Sequence, residues 1–158
     1  MLCVYALQTG LGENERRAFY DQLGEVLSDI PSKEKVIIGG DFNAHVGQSK
    51  AEYEAIHGGL GFGTTNEAGD DMLEFATALD MAIVNTFFKK RETQLITYKS
   101  GQHQSQIDYF MIRKEDIREC KDCKVIVSET VSQQHKLLVL DFEVKSETKP
   151  KYRKGPQK

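Results

Sequence analysis

The sequence predicts an α/β fold in which helices pack outside mixed β-sheets. Three observations predict it: an apolar stripe at helical spacing early in the chain, short β-branched runs on either side of it, and a second half in which strand patterns dominate. The 158 residues suit one domain or a large part of one. With 39% hydrophobic and 28% charged residues, the composition excludes a wholly disordered chain.

Periodicity and helix-capping residues define the elements of the first half. The first helix is predicted from Phe19, Leu23 and Val26, which lie on one apolar stripe. The strand after it is continuously apolar and β-branched, which is typical of a strand covered on both faces. Asn66 is a favourable N-cap for the second helix, which follows a long glycine-rich loop. In order, we expect a strand at 2–7, a helix at 13–30, a strand at 36–38, a loop at 41–66 and a helix at 67–79.

The second half consists mainly of short runs rich in β-branched and aromatic residues, which indicate strands. We expect strands at 82–85, 94–98, 106–112, 123–127 and 137–143, with a helical turn at 114–119. No apolar run approaches the length of a membrane span, and the first residues lack the pattern of a secretory signal. We therefore expect an intracellular protein, nuclear or cytoplasmic, without membrane contact.

Charge is distributed unevenly along the chain. The 21 basic and 24 acidic residues give a formal net charge of −3. Residues 145–158 carry six basic residues and one acidic residue, or +5, which leaves −8 on residues 1–144. We expect residues 1–144 to form a partial domain and 145–158 to be a flexible basic tail. That tail is either a solvated linker or a phosphate-contacting arm or nuclear address.

Three cysteines, Cys3, Cys120 and Cys123, are too few for a disulfide framework and indicate a reducing compartment. The Cys120-x-x-Cys123 spacing would suit two zinc ligands, but no second pair lies nearby at the spacing of a zinc finger. Ordinary thiols are therefore the preferred interpretation, with a structural zinc as the alternative.

Polar residues interrupt or follow apolar strand segments at four places. Gly39 and Gly40 are expected to end the strand at 36–38 and to let a substrate backbone approach closely. Asp41 and Asn43 follow them. In extended backbone residues i and i+2 point the same way, so these two side chains can converge; a simple turn is the alternative. Asp108 interrupts an apolar strand and needs a partner, because an unpaired buried charge is costly. His135, just before the last strand, can be that partner. Tyr5 can donate to a phosphate oxygen or be a core tyrosine.

These motifs resemble the endonuclease/exonuclease/phosphatase superfamily and, more narrowly, the endonuclease domain of non-LTR (LINE-type) retrotransposons. The runs that carry the resemblance are VYA at 4–6, GGDFN at 39–43, SQIDYF at 105–110 and the isolated histidine before LLVLDF. The resemblance covers about residues 3–143. It implies a four-layer α/β sandwich and hydrolysis of DNA phosphodiesters with Mg²⁺ or Mn²⁺.

The resemblance also implies a role for each site residue. Asp41 would bind the metal and orient or deprotonate the attacking water. Asn43 would hold the scissile phosphate, which Tyr5 would also contact. Asp108 would pair with His135, and the imidazole would steady the pentavalent phosphate.

The sequence departs from the family pattern in two respects. An asparagine and a metal-binding glutamate normally precede the tyrosine motif, and neither has a counterpart here. Gln134 stands where an aspartate usually precedes the catalytic histidine, and an amide attracts a hard cation less than a carboxylate does. We therefore expect this chain to comprise the C-terminal two-thirds of the domain and to bind the metal with reduced affinity. We also expect an exposed apolar face beside residues 2–7 and the first helix, for a protein partner to cover.

Three hypotheses follow for the function. The first is a metal-dependent endonuclease, the second a non-catalytic interaction or scaffold module derived from a retroelement, and the third a phosphatase or lipid phosphodiesterase of the same fold. Three features of the sequence weigh less: His45 and His57 are either structural or near the substrate, and the basic run at 89–91 is either a solvated turn or a phosphate-contacting patch.

Overall fold

The computed structural model describes residues 1–6 and 12–145, which form the predicted mixed α/β fold. The strands are β1 Leu2–Tyr5, β2 Ile37–Asp41, β3 Met81–Ile83, β4 Tyr98–Ser100, β5 His103–Ser105, β6 Asp108–Arg113, β7 Cys120–Thr130 and β8 Lys136–Phe142. The helices are α1 Glu13–Ser28 and α2 Glu67–Ala78, with 3₁₀ turns at Val84–Phe87, Glu92–Gln94 and Lys114–Glu119.

The main sheet has the strand order β1-β2-β6-β3. Strand β1 runs parallel to β2, and β6 runs antiparallel to both β2 and β3. This register places Tyr5 opposite Asp41, and Asp41 opposite Asp108. Because residues directly opposite each other project from the same face of a sheet, three predicted site residues form one row across β1, β2 and β6.

The two faces of the main sheet pack against different layers. On one face, Ile38 and Met111 join the core beneath α1 and α2. On the other face, Ile112 packs with Cys120 and Cys123 of the β7–β8 hairpin. Side chains alternate along a strand, so Asp41 and Asp108 lie on the same side as Ile112, the side on which β8 begins. The remaining pair, β4 and β5, forms a separate hairpin.

The structure corrects the predicted role of the two glycines before Asp41. They do not end the strand, because β2 continues through both of them to Asp41. A Cβ on Gly39 would lie 2.8 Å from the Phe110 ring, and one on Gly40 would lie 1.8 Å from the Val4 carbonyl oxygen. These glycines therefore allow close packing inside the protein, whereas the sequence suggested close approach of a substrate.

Several element boundaries also differ from prediction. Helix α1 ends two residues earlier than expected, at Ser28. The segment predicted as a strand at 94–98 is mostly a 3₁₀ turn and irregular chain, and β4 begins only at Tyr98. Strand β5, His103–Ser105, was not predicted because its three residues are polar. The predicted strand at 123–127 is longer, from Cys120 to Thr130.

The predicted apolar face beside β1 is only partly present. Met1, Tyr5 and Val26 are 80%, 60% and 47% exposed. Leu2 and Val4, however, pack against the core. Leu7 and nearly all of the predicted basic tail lie outside the described residues. No helix within 1–6 and 12–145 has the length and apolar character needed to cross a bilayer.

Candidate functional site

A cavity of about 320 Å³ opens where β2 ends and β6 begins. Its walls include Tyr5, Asp41, Asn43, Gln134 and His135, all of which the sequence singled out. The β4–β5 hairpin supplies part of the opposite wall. Residues from both ends of the chain therefore share one concave site.

Asp41, Asp108 and His135 form a compact cluster at this site. One ligand atom from each lies within 4.8 Å of the others. His135 Nδ1 is 3.1 Å from Asp108 Oδ2, and His135 Nε2 is 3.7 Å from Asp41 Oδ2. Since an ionised carboxylate only accepts hydrogen bonds, Nδ1 is the nitrogen that donates to Asp108. The predicted pairing of Asp108 with His135 is thus present in the geometry.

Asn43 lines the cavity from a turn in the backbone, whereas the sequence suggested extended backbone at this position. Its φ is +45°, and its backbone N–H donates to Asp41 Oδ1 at 2.8 Å. Its side-chain Nδ2 donates to the Ala6 carbonyl oxygen at 2.7 Å. A side-chain amide has two N–H donors, so one N–H and the amide oxygen of Asn43 remain for a substrate. The backbone therefore turns at Asn43, and the side chains of Asp41 and Asn43 still converge on one cavity, although the sequence offered these as alternatives.

The surroundings of the two aspartates disfavour their charged forms. Burial raises the pKa of Asp41, the hydrogen bond from Asn43 opposes that shift, and Asp108 adds to it. Burial also raises the pKa of Asp108, against the hydrogen bond from Thr97 and the attraction of His135. Two desolvated carboxylates held near one another favour a cation between them.

Thr97 is a site residue to which the sequence assigned no role. It is fully buried, and its Oγ1 accepts hydrogen bonds from the backbone N–H groups of Ile107 and Asp108 at 3.0 and 3.1 Å. These hydrogen bonds fix the backbone at the start of β6, from which the Asp108 side chain extends to the cluster. This role depends on contacts about ten residues further along the chain, so no local pattern around Thr97 indicates it.

Tyr98 and Gln134 lie next to the His135 imidazole and help to position it. The Tyr98 ring meets the His135 ring edge-on with centroids 5.2 Å apart, and the two residues also form a β-bridge. Gln134 Nε2 donates to Ser100 Oγ at 3.2 Å. The amide that replaces the expected aspartate is thus held by the β4–β5 hairpin.

The two loop histidines have different surroundings. His57 is fully buried, with Nε2 3.0 Å from the Gly47 carbonyl oxygen and Nδ1 accepting from Gly59 N–H at 2.9 Å. It clamps the glycine-rich loop, so its role is structural. His45, by contrast, lines the cavity, together with His103 of β5, which the sequence did not single out.

The other basic and thiol groups lie away from the cavity. Lys90 Nζ forms an ion pair with Asp122 at 2.6 Å, so this member of the predicted basic run is engaged within the protein. Burial raises the pKa of Cys120 to about 11 and that of Cys123 to about 12. Both are buried free thiols in the core between the main sheet and the β7–β8 hairpin, while Cys3 is exposed.

The fold and the carboxylate–imidazole site define a protein of the endonuclease/exonuclease/phosphatase type. Residues 1–139 match the family described as endonuclease-reverse transcriptase, and the chain belongs to this family. It is similar in fold to the endonuclease domain of TRAS1, a telomere-specific non-LTR retrotransposon, with a TM-score of 0.58 and 18% identity. That match covers 80% of this chain and 49% of the TRAS1 chain.

Two curated proteins show similarity along most of the sequence. Craniofacial development protein 2 of Bos taurus is 33% identical over 150 residues, covering 94% of this chain and 25% of that protein. Its counterpart in Tragulus javanicus is 33% identical over 141 residues, covering 88% and 24%. The chain therefore spans about a quarter of the length of these relatives.

Proposed function

We propose that this chain is a divalent-metal phosphodiesterase that cleaves DNA strands. The observation that carries the proposal is the cluster in which Asp41, Asp108 and His135 present ligand atoms within 4.8 Å of one another. Two of its members, Asp41 and His135, line a concave site that a phosphate can enter, and Asp108 contacts His135. Membership of an endonuclease family supports phosphodiester bonds as the substrate class.

Each side chain has a role that its contacts allow. Asp41, directed into the cavity, orients a water molecule and accepts its proton. The water oxygen forms a bond to phosphorus, and the bond between phosphorus and one bridging ester oxygen breaks. His135, oriented by Asp108, donates to a phosphate oxygen that gains charge. Asn43, through its remaining amide N–H, and Tyr5 hold the scissile phosphate in place.

The donor set fits a hard divalent cation. The Asp41 and Asp108 carboxylates would hold Mg²⁺ or Mn²⁺, and both metals accept oxygen ligands. Such an ion would neutralise charge that develops on the phosphate. We expect modest affinity, because the position next to His135 is occupied by Gln134, a neutral amide already bonded to Ser100. We further propose residues 1–144 as the partial nuclease domain, with 145–158 as a basic tail.

Plasmid nicking tests the proposal directly. We expect wild-type protein to nick supercoiled DNA in Mg²⁺ or Mn²⁺ and not in EDTA. Asp41→Asn and His135→Gln should each slow nicking by about 100-fold or more. The first removes the group that accepts the proton of the water, and the second removes the donor to the phosphate oxygen that gains charge. Asp21→Asn, which changes an exposed carboxylate of α1, is the matched control and should nick normally. Nicking that survives Asp41→Asn would refute the assignment.

A non-catalytic interaction module is the second candidate. The engaged Gln134 amide favours it, as does the exposure of Met1 and Tyr5 at β1 and of Val26 on α1, since exposed apolar side chains suit a protein partner. This candidate predicts no nicking in either metal by a protein that remains folded. Hydrolysis of a phosphate monoester in preference to a diester would instead support the phosphatase alternative.

A further inference from the structure

Two imidazoles line the part of the cavity that the proposed reaction does not use. His45 belongs to the loop that follows β2, and His103 is the first residue of β5. They come from segments about sixty residues apart, yet both face the same cavity as Asp41 and His135. Neither belongs to the Asp41–Asp108–His135 cluster.

The backbone of His45 is fixed firmly against α2. Its N–H donates to the Asn66 side-chain oxygen at 3.0 Å, and its carbonyl oxygen accepts from Asn66 N–H at 3.1 Å. A Cβ on Gly69 would lie 1.7 Å from that same carbonyl oxygen, so the helix begins in direct contact with His45. The imidazole of His45 is thus presented from a rigid base.

The β4–β5 hairpin holds His103 in an equally defined place. His103 pairs with Ser100 across the hairpin, whose turn includes Gly101 at φ +57°. The other strand of the hairpin is bound to the site, because Lys99 N–H donates to the Gln134 carbonyl oxygen at 2.9 Å. The hairpin therefore carries His103 at a fixed position relative to His135.

The two histidines form an environment that suits an anion. Burial lowers the pKa of His45, and the neighbouring His103 lowers it further. An anion placed between the two rings would accept hydrogen bonds from both and offset their mutual repulsion.

We propose that His45 and His103 form a second phosphate subsite, which binds the phosphodiester next to the one at the Asp41–Asp108–His135 cluster. This inference rests on the proposed function, because the cluster must take the first phosphate. The cavity of about 320 Å³ is at the small end of ligand sites, so it holds about one nucleotide. His45 and His103 line this same cavity, so we assign the next phosphate of the strand to them.

A pair of trinucleotides isolates the contribution of this second phosphate. One has two ordinary phosphodiesters, and in the other the linkage beside the scissile one is an uncharged methylphosphonate. Binding is measured by calorimetry in Ca²⁺. For wild-type protein we expect the charged trinucleotide to bind about 10-fold more tightly, as for one charge-assisted contact. Its salt dependence should be steeper by about 0.7 in log–log slope, as for one added phosphate contact on a single strand.

The double variant His45→Ala/His103→Ala should bind both trinucleotides equally and lose the extra salt dependence. His45→Gln/His103→Gln should recover part of the ratio, because an amide keeps an N–H donor. Lys33→Ala, which changes an exposed cation near the opposite end of β2, is the control and should keep the full ratio. A ratio that persists in the double alanine variant would overturn the subsite, as would equal or absent binding by wild-type protein.

The binding and nicking results separate the two proposals. A chain that nicks DNA but shows no dependence on the second phosphate overturns only the subsite. A chain that shows the binding ratio but never nicks DNA overturns only the nuclease.

Discussion

The Asp41→Asn substitution should make the metal-free protein more stable at neutral pH. The two aspartates of the cluster present oxygens no more than 4.8 Å apart. At that distance two unit charges repel by about 3.5 kcal/mol at an effective dielectric constant of about 20. His135 offsets part of this repulsion, so we expect a net gain of about 1 kcal/mol, or about 2–4 °C in Tm for a chain of this size. The asparagine side-chain oxygen can still accept from Asn43 N–H.

The sign of the pH dependence follows from the raised pKa of Asp41, which has burial as its main cause. Below the pKa of the unfolded chain the carboxyl is protonated in both states, and the substitution should change little. As the pH rises through the raised pKa, the wild type must ionise a desolvated group and loses stability relative to the variant. The difference in Tm should therefore grow from about pH 4 towards pH 7.

Thermal unfolding in EDTA between pH 4 and 8 measures this difference. A parallel series in Mn²⁺ should reverse the order, because the metal stabilises only the chain that binds it. Asp21→Asn, on the exposed face of α1, is the control for a general change in net charge. A variant that is less stable than wild type at pH 7 in EDTA, or a difference that does not vary with pH, would refute this account.

Four further substitutions test the framework around the site. Gly40→Ala should lower the free energy of unfolding in urea by about 2–3 kcal/mol, because its Cβ would collide with the Val4 carbonyl oxygen. Gly63→Ala, which has open space around it but a φ of +69°, should lower it by only about 1–2 kcal/mol. Asn66→Ala should cost about 1–2 kcal/mol and speed amide exchange in the first turn of α2, since its side chain accepts from that turn. Thr97→Val should cost about 1–3 kcal/mol by the same urea assay, because two buried N–H groups lose their acceptor.

The sequence was most informative where a local rule determines the structure. The apolar stripe predicted α1 to within two residues, and the Asn66 cap is confirmed by its hydrogen bond to Gly69 N–H. Strand β5 was missed because three polar residues carry no strand pattern, and only its pairing with β4 makes it a strand.

The candidate site was partly predictable for a related reason. Asp41 and Asp108 stand out locally, since Asp41 follows an apolar run and Asp108 interrupts one. The role of Thr97 and the proximity of His45 to His103 depend on contacts between distant segments, which no local pattern specifies. The role of Gly39 and Gly40 differs from the prediction for the same reason, because the close contacts that require glycine come from the neighbouring strands β1 and β6.

The row of Tyr5, Asp41 and Asp108 across three strands has a consequence for folding. Each member arrives from a different part of the chain, and the imidazole comes from later still, at position 135. Loop closures of this length are slow, and they yield no contact until both ends meet. No isolated hairpin or early folding unit can therefore bring these four side chains together. A protease cut between residues 43 and 105 that lets the two halves separate would abolish the site.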